Sequence, residues 1–233
     1  MSTNYAPINT TGLEIDEILQ NNQVVNFEKL LDRIIDTDYS LICYRLGSCS
    51  GYMDTNNLID VLYSKLEKIN NLSDIIVISV AYIHRVDLIK LVIDNGGNIN
   101  ACDKDGNTPL RAACSFGNYD VVEYLIKNGA NIYHNGANIF KYLCVGNYVK
   151  IFSLLFDHGM SIDFYDNDAI DGILHLIKTN NASFLNLLVS YGINFSPVQK
   201  YLKDKYESNK NNKVVELLLD LDFDPRHIYC IAH

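Results

Sequence analysis

Residues 103–133 read DKDGNTPLRAACSFGNYDVVEYLIKNGANIY, and they encode two short helices with punctuated ends. Asp105-Gly106 is a tight-turn pair. Thr108 suits an N-cap and Pro109 the first helical position, where a missing N–H costs nothing. Leu110, Ala113 and Cys114 then fall on one helical face. Gly117-Asn118 stops this helix, because glycine enters the left-handed region without a Cβ clash. A second helix starts near Asp120, with Val121, Val122, Leu125 and Ile126 at helical spacing. Gly129 ends it.

Working outward, the same ending recurs. Asn95-Gly96-Gly97-Asn98-Ile99-Asn100, Asn128-Gly129-Ala130-Asn131-Ile132, His158-Gly159-Met160-Ser161-Ile162-Asp163 and Tyr191-Gly192-Ile193-Asn194 each follow an apolar helical run. Their glycines stand at 96, 129, 159 and 192, in steps of 33, 30 and 33, and a further 30 reaches Asp222 in a degenerate last unit. The apolar runs are Val86–Ile93, Val121–Ile126, Ile151–Phe156, Phe184–Val189 and Val214–Leu219. A period in this range marks a repeat architecture, in which no single unit can bury its apolar side alone. Positive φ is expected at Gly96, Gly129, Gly159 and Gly192.

The 103–133 segment resembles an ankyrin repeat. The resemblance rests on the D-x-x-G-x-T-P-L opening, the Gly117-Asn118 turn, the V-V-x-x-L-I run and the Asn-Gly-Ala-Asn-Ile close. It departs at Arg111, where the family has a histidine that ties neighbouring turns together. The implied fold is an all-α, ankyrin-repeat helical solenoid with short β-hairpin fingers between repeats. The organisation expected is a disordered stretch over 1–12, a helical cap or degenerate repeats over 13–69, five repeats over 70–229 and a tail over 230–233. Within 13–69, the stretches Leu13–Leu19, Phe27–Ile35, Tyr39–Leu46 and Leu58–Ile69 read as helices. Phe27, Leu30, Leu31, Ile34 and Ile35 share one face, and so do Leu58, Ile59, Leu62 and Leu66. Gly47–Gly51 reads as a loop. If helix lengths are kept from repeat to repeat, the alternating step predicts two long fingers, Gly97–Asp105 and Met160–Asp168, around a blunt Ala130–Asn135 connection.

Composition narrows the function classes. The 233 residues carry a net charge of −9 and are 48% hydrophobic. Scattered lysines and arginines argue against nucleic acid, whose phosphates need clustered cations. No apolar run is long enough for a membrane span. The N-terminus lacks the basic start and apolar core of a secretory signal. The reading is of an intracellular, cytoplasmic monomer, in the host cytoplasm or nucleus if viral. The abundance of Asn, Ile, Lys and Tyr resembles the ankyrin proteins of large DNA viruses infecting amoebae, and this implies a host-interaction factor.

No pattern for chemistry is found. G-x-S-x-G, H-E-x-x-H, G-x-G-x-x-G and the phosphate loop are absent, and Gly51 is followed by Tyr52 rather than Lys-Ser/Thr. The six cysteines (Cys43, Cys49, Cys102, Cys114, Cys144, Cys230) have no zinc spacing and read as reduced and buried. His84, His134, His158 and His175 fall one to a repeat, with His84 and His158 near turns. Asp163, Asp166, Asp168 and Asp171 lack the Gly and distal Glu of a calcium loop and read as a solvated acidic finger. No cofactor and no catalytic residue is implied.

The reading is therefore a non-enzymatic scaffold for a protein partner. The alternatives are a substrate-recruiting adaptor of a ubiquitin ligase, for which no Leu-Pro F-box start is present, and an enzyme subunit active through residues 1–69. By the family resemblance, contacts come from fingertips and from the concave face of each first helix. In the 103–133 unit these are Lys104, Asp105, Asn107, Arg111, Ser115 and Phe116. In the next-but-one unit they are Tyr165, Asn167, Asp168 and Ile170. Phe116 and Tyr165 stand out as aromatics, the residue class favoured as binding anchors.

Overall fold

The structure is a computed structural model. It describes residues 12–32, 36–49, 55–69, 73–134, 136–193 and 195. The calls on residues 1–11, Ile34, Ile35, Ser50–Asp54, the fifth repeat with its Val214–Leu219 run and Asp222, and the tail with Cys230 lie outside these residues. Among the described residues there are twelve helices and no strand. Contacts divide the chain into two units, Met1–Ile132 and Tyr133–His233.

The first unit holds α1 (Gly12–Gln20), α2 (Val24–Leu31), α3 (Asp36–Cys49), α4 (Asn56–Leu66), α5 (Asp74–Val80), α6 (Val86–Asp94), α7 (Pro109–Ser115) and α8 (Tyr119–Lys127). Its core is built from the apolar faces read in the sequence: Phe27, Leu30 and Leu31 on α2, Leu58, Ile59, Leu62 and Leu66 on α4, Leu110, Ala113 and Cys114 on α7, and Val121, Val122 and Leu125 on α8. The second unit holds α9 (Gly136–Gly146), α10 (Val149–Asp157), α11 (Asn167–Lys178) and α12 (Ala182–Ser190). Its core is more aromatic. Phe140 packs against Phe152 and Phe164, Phe164 against Phe195, and Phe152 against Phe156, Phe184 and Tyr191.

One turn joins several helix pairs. Between α7 and α8, Gly117 N–H donates to the Cys114 carbonyl, Asn118 to Ala113, Tyr119 to Gly117 and Val122 to Asn118. The same four bonds, at the same spacings, close α1–α2 around Asn22, α9–α10 around Asn147 and α11–α12 around Asn180. The pivot has positive φ each time: 71° at Gly117, 47° at Asn22, 55° at Asn147 and 52° at Asn180. Asparagine substitutes for glycine there because its short polar side chain tolerates the left-handed region. The second helices end alike. Gly96, Gly129, Gly159 and Gly192 have φ of 87°, 90°, 90° and 71°, as the sequence predicts, and the N–H of the next residue bonds back five positions.

Three expectations need correction. Helix lengths are not kept: α7 has 7 residues, whereas α9 has 11 and α11 has 12. The extra residues at the third finger therefore lengthen α11, because Asp166 accepts the Asp168 N–H at 2.8 Å and caps the helix about five residues earlier than Thr108 does in finger one's register. Finger one (95–108) stays long, but the third finger (158–166) is nearly as short as the second (128–135). Second, the fingers contain no described strand; turns held by side chains take that place. Third, Gly47–Cys49 is the last turn of α3, not a loop. A Cβ at Gly47 would stand 2.3 Å from the Tyr82 carbonyl oxygen, so this glycine serves close packing of α3 on the end of α5.

Candidate functional site

Finger one is organised by a single carboxylate. Asp103 Oδ1 accepts the N–H groups of Asp105 (2.9 Å) and Asn107 (2.8 Å), while Oδ2 accepts from Asn107 Nδ2 (2.7 Å). Burial pushes the Asp103 carboxyl up, but these bonds and the nearby Arg111 charge outweigh it and hold it below its ordinary value. Asn107 is thus half-buried and committed to the turn. Lys104 and Asp105 are exposed at the tip. Thr108 caps α7 by accepting from the Arg111 N–H at 3.2 Å, with Pro109 at the first helical position. Ser115 donates to the Ala112 carbonyl and is half-buried.

Finger three repeats the device. Asp163 Oδ1 accepts the Tyr165 N–H at 2.9 Å, and the Asp163 carbonyl accepts from Asp166 N–H. This holds Tyr165 outward, 82% exposed, the most exposed large hydrophobic side chain described. Asn167, Asp168 and Ile170 lie in the first turn of α11 instead of at the fingertip. Asp168 is tied down: Asn138 Nδ2 donates to its Oδ2 at 2.7 Å and Lys141 Nζ to its Oδ1 at 2.8 Å. Lys141 also donates to Asp171 at 2.8 Å. These two carboxylate bonds hold the lysine well above its usual range, charged at any working pH. Two of the four aspartates thus share one lysine charge from α9, which the local sequence around Asp163–Asp171 does not announce.

Phe116 lies at the C-cap of α7 and folds back against Tyr44 and Tyr82, edge-on at 5.2 and 5.0 Å between ring centres. Sequence reasoning missed both tyrosines. The fingers also bond to one another in the first unit, where Asn131 N–H donates to Asn100 Oδ1 (2.7 Å) and Asn100 Nδ2 to the Gly129 carbonyl (3.2 Å). Asn118, buried, donates to the Ala81 carbonyl at 2.9 Å and ties the α7–α8 turn to the end of α5. A groove of about 320 Å³ between α2 and α4 has Leu31 and Val61 in its wall. Its Asp32 and Asp60 are already paired, with Lys65 and Arg85.

The candidate chemistry groups are spent on structure. Cys43, Cys114 and Cys144 are buried, and burial pushes the Cys43 thiol up to about 12 and the other two also upward, which makes them poor nucleophiles. Cys102 departs from the buried reading and is exposed. His84 lies in the α5–α6 turn, and burial lowers its pKa against the opposing pull of the Phe116 backbone and Asp120. His158 sits at the C-cap of α10 with Nδ1 2.8 Å from the Leu154 carbonyl oxygen. Among the described residues no group of three or more His, Cys, Asp or Glu side chains is placed to hold a metal, and no helix is long and apolar enough to cross a membrane.

Comparison with known proteins places these features. The family model for ankyrin repeats matches residues 53–136 and 76–168. The chain belongs to the ankyrin-repeat family, whose members are generally non-enzymatic protein-interaction modules. It is similar to two ankyrin repeat proteins of Acanthamoeba polyphaga mimivirus. One is 26% identical over 142 residues, 61% of this chain and 37% of the relative. The other is 28% identical over 120 residues, 51% of this chain and 26% of the relative. A fowlpox virus ankyrin repeat protein is 26% identical over 171 residues, 73% of this chain and 41% of the relative. The matches thus span well under half the length of these viral relatives.

Proposed function

We propose that this chain is a protein-binding scaffold that engages a host protein through finger three, with Tyr165 as its anchor. The observation that carries this reading is the 82% exposure of Tyr165 on a turn fixed by Asp163 and Asp166. A rigidly presented aromatic supplies large contact area at little cost in conformational entropy. Lys104 and Asp105 on finger one and Arg111 in α7 are further contacts contributed by the first unit. Asn107 holds finger one in shape and Asp168 ties α11 to α9, so both act indirectly. Ser115, Asn167 and Ile170 are secondary contacts. The viral relatives support a partner of host origin, and the α1–α2 turn supports reading residues 13–69 as degenerate repeats that extend the array.

The test is a comparison of wild type and Tyr165→Ala as bait in a lysate of Acanthamoeba polyphaga, read by quantitative mass spectrometry. One stoichiometric partner should be retained by wild type and weakened in the variant by at least about 1–2 kcal/mol, the scale of an anchor truncation. The melting temperature should not move, since Tyr165 buries little. Equal recovery by both baits, or a variant that melts several degrees lower, removes Tyr165 as the anchor.

A further inference from the structure

The pair Asn-Gly occurs three times in the chain, at 95–96, 128–129 and 135–136. It is well suited to deamidation without an enzyme, because glycine has no Cβ to shield its backbone nitrogen. Asn135 lies outside the described residues, but the other two pairs sit in matching backbone. Asn95 is the C-cap of α6 with φ −86° and ψ 20°, and Asn128 the C-cap of α8 with φ −102° and ψ 16°. Gly96 N–H donates to the Ile93 carbonyl at 3.0 Å, and Gly129 N–H to the Ile126 carbonyl at 3.1 Å. Both asparagines are exposed.

The two sites differ in what holds them. Asn128 Nδ2 donates to the Tyr124 carbonyl at 2.7 Å. The next residues are braced as well, since the Gly129 carbonyl accepts from Asn100 Nδ2 at 3.2 Å and Asn131 N–H donates to Asn100 Oδ1 at 2.7 Å. Among the described residues the Asn95 side chain has no hydrogen-bond partner, and no side chain braces Gly96. Charge differs too. The last turn of α8 carries Lys127, whereas that of α6 has no basic side chain and ends on exposed Asp94.

We infer that Asn95 is a self-catalysed modification site, converted in the folded protein to aspartate and isoaspartate ahead of Asn128. The Gly96 nitrogen attacks Asn95 Cγ. The new C–N bond closes a cyclic imide, the Cγ–Nδ2 bond breaks, and ammonia leaves with the proton from Gly96. Water then opens the imide. Opening at Cγ gives aspartate; opening at the Asn95 backbone carbonyl gives isoaspartate, whose main chain runs through Cγ and is longer by one carbon. Closure swings the 95–96 peptide out of the helix end and breaks the Gly96–Ile93 bond, and helix ends open in this way most readily. At Asn128 the same swing also costs the bonds to Tyr124 and Asn100. Either product places a carboxylate at the negative end of α6 beside Asp94, with no basic side chain in the last turn to offset it. The root of finger one is thereby loosened. None of this rests on finger three.

The experiment incubates the full chain at mildly alkaline pH, either native or in urea. Peptide mapping at acid pH with fragment-ion mass spectrometry then follows each Asn-Gly pair. In the native chain Asn95 should gain the acid mass about fivefold faster than Asn128, which corresponds to about 1 kcal/mol of barrier, the scale of one hydrogen bond. Urea should bring the two rates together, because both side chains are then free. Asn95→Asp, checked for folding by circular dichroism, should melt below wild type. Equal native rates, or a faster Asn128, overturn the inference. So does a rate ratio that persists unchanged in urea, since local sequence and not the fold then sets the order. An Asn95→Asp midpoint at or above wild type refutes the loosening of finger one.

Discussion

Gly129 holds φ at 90° with no heavy atom within 4 Å of where a Cβ would stand. Space is open there, so the backbone angle alone demands glycine. Gly129→Val should therefore lower stability by about 1–3 kcal/mol, the strain of a β-branched residue in that region, without enlarging any cavity. Chemical denaturation measures it, and an unchanged midpoint would show that the helix end relaxes at no cost. The residue scale is also where the sequence was most readable. Thr108, Pro109, Gly117 and Gly129 act on their own backbone, so residue type and geometry correspond one to one. Tyr165 was harder: its neighbours in sequence do not say whether the ring folds onto the finger base. That depends on Asp163 turning the chain, which places the ring outward.

At the scale of the element, the inter-helix turn and the finger are the repeating parts. Asn22 and Asn180 occupy one turn with φ of 47° and 52°. If the α1–α2 pair is a true repeat unit, Asn22→Val and Asn180→Val should each cost roughly 1–2 kcal/mol, as left-handed geometry penalises a branched side chain. Glycine at either site should be tolerated. A neutral Asn22→Val would set α1–α2 apart from the later pairs. The finger responds to acid through Asp103. Its folded pKa is depressed, so its stabilising bonds are fully present above the ordinary carboxylate value of about 3.9. They are lost as pH falls through the lower, folded value. The Asn107 amide resonance should stay fixed on acidification until below about pH 4 and then shift. A midpoint above that would contradict the turn geometry. The α7–α8 pair could be read from sequence throughout, whereas finger three could not. Its step of ten residues is shared with finger one, but a capping aspartate about five residues early turned loop into helix, and spacing alone does not reveal which of Asp166 and Asp168 caps.

Across the whole molecule, stability is assembled between neighbouring elements. In the first unit α1 packs on α2 and α3, while α8 packs on α6 and α7. Leu19 on α1 and Leu125 on α8 are both buried. Leu125→Ala and Leu19→Ala should each cost about 2–5 kcal/mol. The double variant should equal their sum to within about 0.3–0.5 kcal/mol, because α1 and α8 pack chiefly on different helices. A larger deviation would mean that the unit behaves as one inseparable core. The family was plain from the repeat, but what joins one repeat to the next was not. Lys141 meets Asp168 and Asp171, 27 and 30 residues away, and Tyr44 meets Tyr82 and Phe116. Such pairs follow from repeat-to-repeat register, and in α3 that register is carried by no turn motif.

The outward ring of Tyr165 has an optical consequence. The chain contains 16 tyrosines and no tryptophan. A Tyr165→Trp variant would place the protein's sole indole on a rigid turn in water. Selective excitation at the red edge would then report from that fingertip alone, with long-wavelength emission and ready quenching by iodide. A partner that covers finger three would shift the emission blue and shield it from the quencher, while one that lands elsewhere would leave the spectrum untouched.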